Sequence, residues 1–298
     1  MTIPIHYIKL ATAPVLWGGA LVAGRVVSGQ LPALTTAFVR FALASIFLLP
    51  LLYRRAGSFP QPSRRQWLSI LLLSLSGVVC FNYFLFSGLQ SVDAGRSGVI
   101  IALTPVVVVI LSALFLREGI TPLKITGVLI ACFGGAVTVS AGDLRGIFIQ
   151  LPDAGDLLIF AAVGCWAVYS LIGRSDMGSL SSLTILTYSF SAGTIMLLPL
   201  AATDQAFADV LMLTPAAWVG MLYLSFGSAG IAYLWYYEGI RKVGASKAAV
   251  FMNLEPAAAI AFGALLLGEV ITPAMGAGTV LVLGGVYLTV RSRQVPSL

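Results

Sequence analysis

Long apolar runs alternate with short polar breaks along the whole chain, and ten of these runs approach the ~20 residues that a helix needs to cross a hydrocarbon core. The pattern predicts spans near 8–28, 33–53, 67–87, 96–116, 122–141, 156–173, 180–201, 216–238, 248–267 and 274–291. The connections are short, and no polar stretch has the length to fold as a soluble domain. The first run exceeds the core of a signal peptide and leads straight into further spans, so it reads as a retained helix.

The polar interruptions recur in register. Val92–Val139 lies over Val243–Val290 without a gap, and Pro105/Pro256, Glu118/Glu269, Pro122/Pro273 and Gly127/Gly278 are each 151 positions apart. A proline, a Glu-x-Ile-Thr-Pro stretch and a glycine kept in step across two helix-length runs indicate an internal duplication. Earlier spans pair more loosely: Trp17 with Trp166 and Pro50 with Pro199 differ by 149. The expected organisation is a first repeat over 1–142, a connecting loop over 143–155 and a second repeat over 156–298. Each repeat holds five spans. Five is odd, so the second repeat enters the membrane from the opposite side, and the fold class is an all-α membrane protein of ten transmembrane helices in two inverted five-helix repeats.

Composition agrees with the pattern. With 59% of residues apolar and 9% charged, and a mean hydropathy of +0.99, the chain cannot hide its apolar surface in a soluble core. Net charge is +6, which in a membrane protein reflects basic cytoplasmic loops rather than nucleic-acid binding. With the N-terminus inside, the inner segments carry Lys9, Arg54, Arg55, Arg64, Arg65, Arg117, Lys124, Arg174, Arg241, Lys242, Lys247, Arg291 and Arg293. The outer segments carry only Arg25, Arg96 and Arg145, and Arg40 falls within a span. Both termini are therefore expected in the cytoplasm. Cys80, Cys132 and Cys165 lie in apolar runs with no pairing pattern.

Inverted repeats are a recurring design of secondary transporters. Trp17-Gly18 in the first span, Thr104-Pro105 and Glu255-Pro256 in the fourth and ninth, and the Leu116-Arg117-Glu118-x-Ile-Thr-Pro and Leu267-Gly268-Glu269-x-Ile-Thr-Pro tails resemble the EamA domains of the drug/metabolite transporter superfamily. The resemblance covers nearly the whole chain. It implies a ten-helix exporter of amino acids or related metabolites in a bacterial inner (plasma) membrane, with a central cavity between the halves. Cargo identity is not implied, since such transporters carry very different molecules.

Several residues are candidates for that cavity. Trp17 and Trp166 fall near the middle of their spans, where an indole either stacks on a ligand or packs helices; Trp67 and Trp218 lie at span ends and read as interface anchors. Asn82 and Tyr83 in the third span and Tyr233 in the eighth offer polar tips on an aromatic surface, with Tyr83 and Tyr233 corresponding in the repeat. Tyr236 and Tyr237 lie towards the cytoplasmic end, where tyrosine is ordinary belt material. Arg40 either attracts a substrate carboxylate or plays a structural part, by snorkelling or by binding freed backbone carbonyls. Its aligned partner is Ser189, so no symmetric basic pair exists for a dianionic cargo.

Pro105 and Pro256 within helices deprive the carbonyls of Ile101 and Met252 of their usual donors, so they are candidate hinges. Glu255 lies ~10–12 Å into its span at 1.5 Å per residue, beside Asn253, and an acid at that depth is a functional candidate by default. It can bind a substrate amine, exchange a proton for it, or both. Glu118 and Glu269 sit at span ends and read as local helix terminators. Gly127, Ala131 and Gly135 form a small-residue stripe echoed at Gly284-Gly285, suited to close packing on a neighbour or a second copy; a monomer or weak homodimer is expected.

Rival classes fare poorly. The only histidine is His6, no two acids stand at ligand spacing within the spans, and no Walker-type stretch is present. A membrane enzyme is thus disfavoured, and no cofactor or metal is expected. The expected function is secondary transport of neutral or zwitterionic metabolites, most of all amino acids, outward by alternating access. A drug, nucleoside or sugar-type cargo on the same fold is the alternative. The expected partners are a small-molecule substrate and the lipid bilayer.

Overall fold

The computed structural model describes residues 4–88, 99–143, 154–174, 180–268 and 270–292, without the side chains of Arg25 and Leu267. Ten helices in it have the length and composition to cross a membrane: α1 (Ile5–Ser28), α2 (Ala33–Ala56), α3 (Arg64–Gly88), α4 (Val99–Leu116), α5 (Pro122–Val139), α6 (Ala154–Arg174), α7 (Ser182–Ala202), α8 (Pro215–Val243), α9 (Ala245–Leu266) and α10 (Pro273–Arg291). Arg96, Arg145, Glu269, Arg293 and the expected loop, apart from its ends, lie outside the described residues. Ten crossings return α10 to the face where α1 begins, the terminal face.

The repeated Ile-Thr-Pro starts helices in both halves for the same reason. Thr121 and Thr272 accept the amides of Lys124 and Met275, at 3.1 and 3.3 Å. Pro122 and Pro273 occupy the first turn, where the missing N–H has no intrahelical partner to lose. The helices then assemble as symmetry-related sets. Packing joins α2 to α7 and α5 to α10, while α1 leaves its own half to pack on α8 and α9 and α6 crosses to α3 and α4. The result is two bundles, α3–α4–α6 and α1–α8–α9, flanked by the two symmetric pairs.

Small residues set the α5–α10 contact. Gly127, Ala131 and Gly134 meet Gly278, Val282 and Gly285 with backbones nearly touching, whereas Gly135 turns towards Asn253. The stripe thus packs within the chain. A Cβ on Gly134 would lie 2.7 Å from the Gly278 carbonyl oxygen and from the Val282 amide nitrogen. Gly134→Val is therefore expected to destabilise the fold by about 1–3 kcal/mol, the usual range for overpacking, measured as a lower melting midpoint in detergent.

Two irregularities recur in each half. First, α4 and α9 are broken: α4 turns at Leu103 and resumes at Thr104, and α9 turns after Phe251 and resumes at Leu254. Pro105 and Pro256 thereby stand in the first turn of the second half-helix, rather than inside a continuous one. The carbonyls expected to lose their donors regain them, Ile101 from the Thr104 hydroxyl at 2.6 Å and Met252 from the Glu255 amide at 2.9 Å. Second, α3 and α8 each contain a π-helical stretch, Ser74–Cys80 and Tyr223–Ala232. Such stretches concentrate at functional sites.

Candidate functional site

A cavity of about 560 Å³ lies between the two bundles. It runs from the break in α9, at Met252 and Glu255, to the α1–α2 turn at Leu31, Pro32 and Ala33, on the face opposite the termini. Its walls are largely apolar, with Leu21 and Gly24 on α1, Leu85 and Phe86 on α3, and Val163 on α6, and carry a few neutral polar groups such as Thr36 and Asn82. Among the described residues that line it, Glu255 is the only acid and Arg40 the only base. Gly18 brings α1 against the turn that carries Glu255, since a Cβ there would sit 2.8 Å from the Glu255 carbonyl oxygen.

The floor is aromatic. Trp17 meets Trp166, Tyr233 and Tyr236 edge-on, with ring centroids 5.3–5.4 Å apart. Trp166 adds Phe81 at 5.0 Å and Tyr169 at 5.4 Å. The Trp17 indole donates to the Ser228 carbonyl at 3.2 Å, inside the π-helical stretch of α8. Beneath this layer Tyr169, Tyr236 and Tyr237 are buried. The last two are therefore plugs between bundles and do not form a lipid-facing belt.

The terminal face is closed by polar contacts between the same bundles. Glu118, just past α4, reaches 127 residues along the chain to the start of α9. Its carboxylate accepts from the Ala245 amide at 3.0 Å, the Ser246 amide at 3.3 Å and the Ser246 hydroxyl at 2.5 Å. Lys124 and Arg174 flank it at 3.7 and 3.9 Å. A carboxylate at a helix N-terminus also meets the positive end of the helix dipole. Alongside, Arg174 donates to the Arg241 carbonyl at 2.9 Å, and Ser170 and Tyr236 share a 3.4 Å hydrogen bond. The sequence suggests a local role for Glu118, whereas its hydrogen-bond partners belong to the other half.

Of the residues singled out from sequence, Trp17, Asn82, Trp166, Tyr233 and Glu255 line the cavity together. Asn82 is buried and donates to the Val78 carbonyl at 2.6 Å. Asn253 does not line the cavity: it is buried against α5, with its amide 3.6 Å from the Cys132 sulfur, and it fastens the break of α9. Tyr83 is 41% exposed and lies away from the cavity, its ring beside Phe84. One residue on from Asn82, it points about 100° around the helix. Tyr83→Ala is expected to leave transport within about two-fold of wild type, consistent with the small effect of surface changes, as checked in a vesicle flux assay. The cavity lining also contains Arg40.

An inverted-repeat bundle with a cavity reaching one face and a latched opposite face is the build of a membrane transporter. The sequence matches the EamA-like transporter family over residues 5–140 and again over 153–291, and the chain belongs to that family. Among its relatives, the Bacillus subtilis protein named Uncharacterized transporter YetK is 30% identical over 97% of this chain and 88% of its own length. A transporter from Archaeoglobus fulgidus is 30% identical, covering 95% of this chain and 96% of the relative. A protein named Probable terminal-alkyne amino-acid exporter, from Streptantibioticus cattleyicolor, is 29% identical over 94% of this chain and 91% of its own length. A crystal structure of a 20% identical protein superposes with a TM-score of 0.77, covering 97% of this chain and 99% of the other, which supports the fold. Relatives of this kind are named as transporters rather than enzymes.

Proposed function

We propose that the protein exports amino acids and related neutral or zwitterionic metabolites across a bacterial inner membrane by alternating access. The observation that carries this reading is the pairing of a cavity open towards one face with a Glu118 latch closing the other, both built between the same two bundles. The surplus of Lys and Arg at the terminal face supports a cytoplasmic position for that face and for both termini. The described conformation is then outward-open. The repeats, 1–142 and 156–298, exchange roles as the bundles rock, with the breaks beside Pro105 and Pro256 as hinges.

Within the cavity, Trp17, Trp166 and Tyr233 offer ring surface to the cargo and Asn82 a polar tip. Glu255 takes the cargo amine on the cytoplasmic side and gives it up to a proton on the outer side. Asn253 holds the α9 break to α5. The name of the Streptantibioticus cattleyicolor relative also favours an amino-acid cargo.

Counterflow in proteoliposomes tests this. Vesicles loaded with an unlabelled amino acid are expected to accumulate the labelled one over protein-free vesicles, for several neutral amino acids. Failure with every amino acid, together with exchange of a nucleoside, sugar or drug, would replace the amino-acid reading with the other cargo class.

A further inference from the structure

We propose that Arg40 and Glu255 act as a two-point reader, Arg40 with Tyr233 binding the carboxylate and Glu255 the ammonium of one zwitterionic cargo with an uncharged side chain. This rests on the amino-acid reading above and adds the residue that rejects close analogues.

Four observations carry it. Among the described residues the two are the only charged groups lining a cavity that is otherwise largely apolar and aromatic, with a few neutral polar side chains such as Asn82 and Thr36. No direct ion pair joins them among the described residues. The Nε of Arg40 is buried and has no hydrogen-bond partner among the described residues. Tyr233 lines the same cavity, and the guanidinium carbon sits 4.8 Å from the centroid of the Phe41 ring, which itself meets the Tyr233 ring at 6.1 Å.

A zwitterion placed in that gap brings no net charge and gives each protein charge a counter-charge. Arginine's planar fork suits a carboxylate. A cargo with only an amine leaves Arg40 uncompensated, and one with only a carboxylate leaves Glu255 so; unpaired charge in a low-dielectric site is costly. The position equivalent to Arg40 is Ser189, so a single cation faces a single carboxylate. Leu21, Leu85 and Phe86 leave an apolar chamber for the side chain.

The test is competition against leucine counterflow in proteoliposomes of the full chain. Leucine, 3-methylbutylamine and 4-methylpentanoate share a hydrocarbon skeleton and differ only in the two charged groups. For wild type, the amine and the acid are each expected to compete at least about 100-fold more weakly than leucine, within the discrimination available to a site built to bond a missing group. Arg40→Gln is expected to erase most of the gap between leucine and the amine while leaving the gap to the acid, and Arg40→Lys to restore part of the preference. The wild-type comparison stands even where a variant fails to fold. Equal competition by the amine or the acid, or unchanged preference in folded Arg40→Gln, overturns the inference alone. No exchange of any amino acid overturns it together with the amino-acid reading.

Discussion

Glu255→Gln is expected to reduce amino-acid counterflow by about 100-fold, close to 2.7 kcal/mol at 1.36 kcal/mol per decade, and to remove stimulation by an inward proton gradient. Among the described residues the side chain is the only acid lining the cavity, at the break where α9 resumes. Glutamine keeps the shape and part of the hydrogen bonding while losing the charge, so folding should survive. Flux measured at several external pH values in wild type and variant separates the two roles of the carboxyl. Loss of counterflow together with loss of proton stimulation fits one carboxylate serving amine and proton in turn. Retained counterflow without proton stimulation assigns it to the proton alone, and normal pH-dependent flux in the variant removes it from the mechanism.

Glu118→Ala is expected to release the closure of the terminal face. The substitution deletes the acceptor for two amides and a hydroxyl at the start of α9 and the partner of Lys124 and Arg174. Truncating one member of a buried, hydrogen-bonded charge cluster costs ~2–5 kcal/mol; the Glu118 side chain is 16% exposed, so the lower part of that range applies. At ~1.4 kcal/mol per decade, the open population should rise by ten-fold or more. Ser170, fully buried beneath the aromatic floor, reports it. In a background with Cys80, Cys132 and Cys165 replaced by alanine, Ser170→Cys should react at least about ten times faster with an impermeant maleimide applied from the terminal face when Glu118 is alanine. Equal labelling at full transport would show that the latch does not govern that face.

Much of this architecture is legible in the chain because a bilayer imposes a length on each span and the duplication imposes a register on the polar breaks. The ten spans, the inversion, the two Thr-Pro helix starts and the lining residues Trp17, Trp166, Tyr233 and Glu255 all follow from local pattern. What escaped depended on distance or on register. Glu118 finds its hydrogen-bond partners 127 and 128 residues away, and no local spacing encodes that. The exchange of α1 and α6 between halves is equally invisible to a pattern read one helix at a time.

Register accounts for Tyr83. The π-helical stretch of α8 is longer than that of α3, so ordinary helix resumes at Tyr233 in one and at Phe81 in the other. Both of those residues line the cavity. The linear alignment that paired Tyr233 with Tyr83 therefore slips by two positions, and Tyr83 falls on the outer surface. Only the Ser- and Gly-rich runs at 74–77 and 225–230 hint at the irregularity.

Alternating access is tested most directly by paired distances across the two bundles. Spin labels at Arg117 and Lys242 report the terminal face, and labels at Ala154 and Leu266 the opposite face; all four positions are exposed and each pair joins one bundle to the other. On addition of an amino acid that exchanges in counterflow, a population should arise in which the Ala154–Leu266 distance shortens while the Arg117–Lys242 distance lengthens. Distances that stay fixed through active exchange, or that lengthen together at both faces, would contradict a mechanism in which the inverted halves trade conformations.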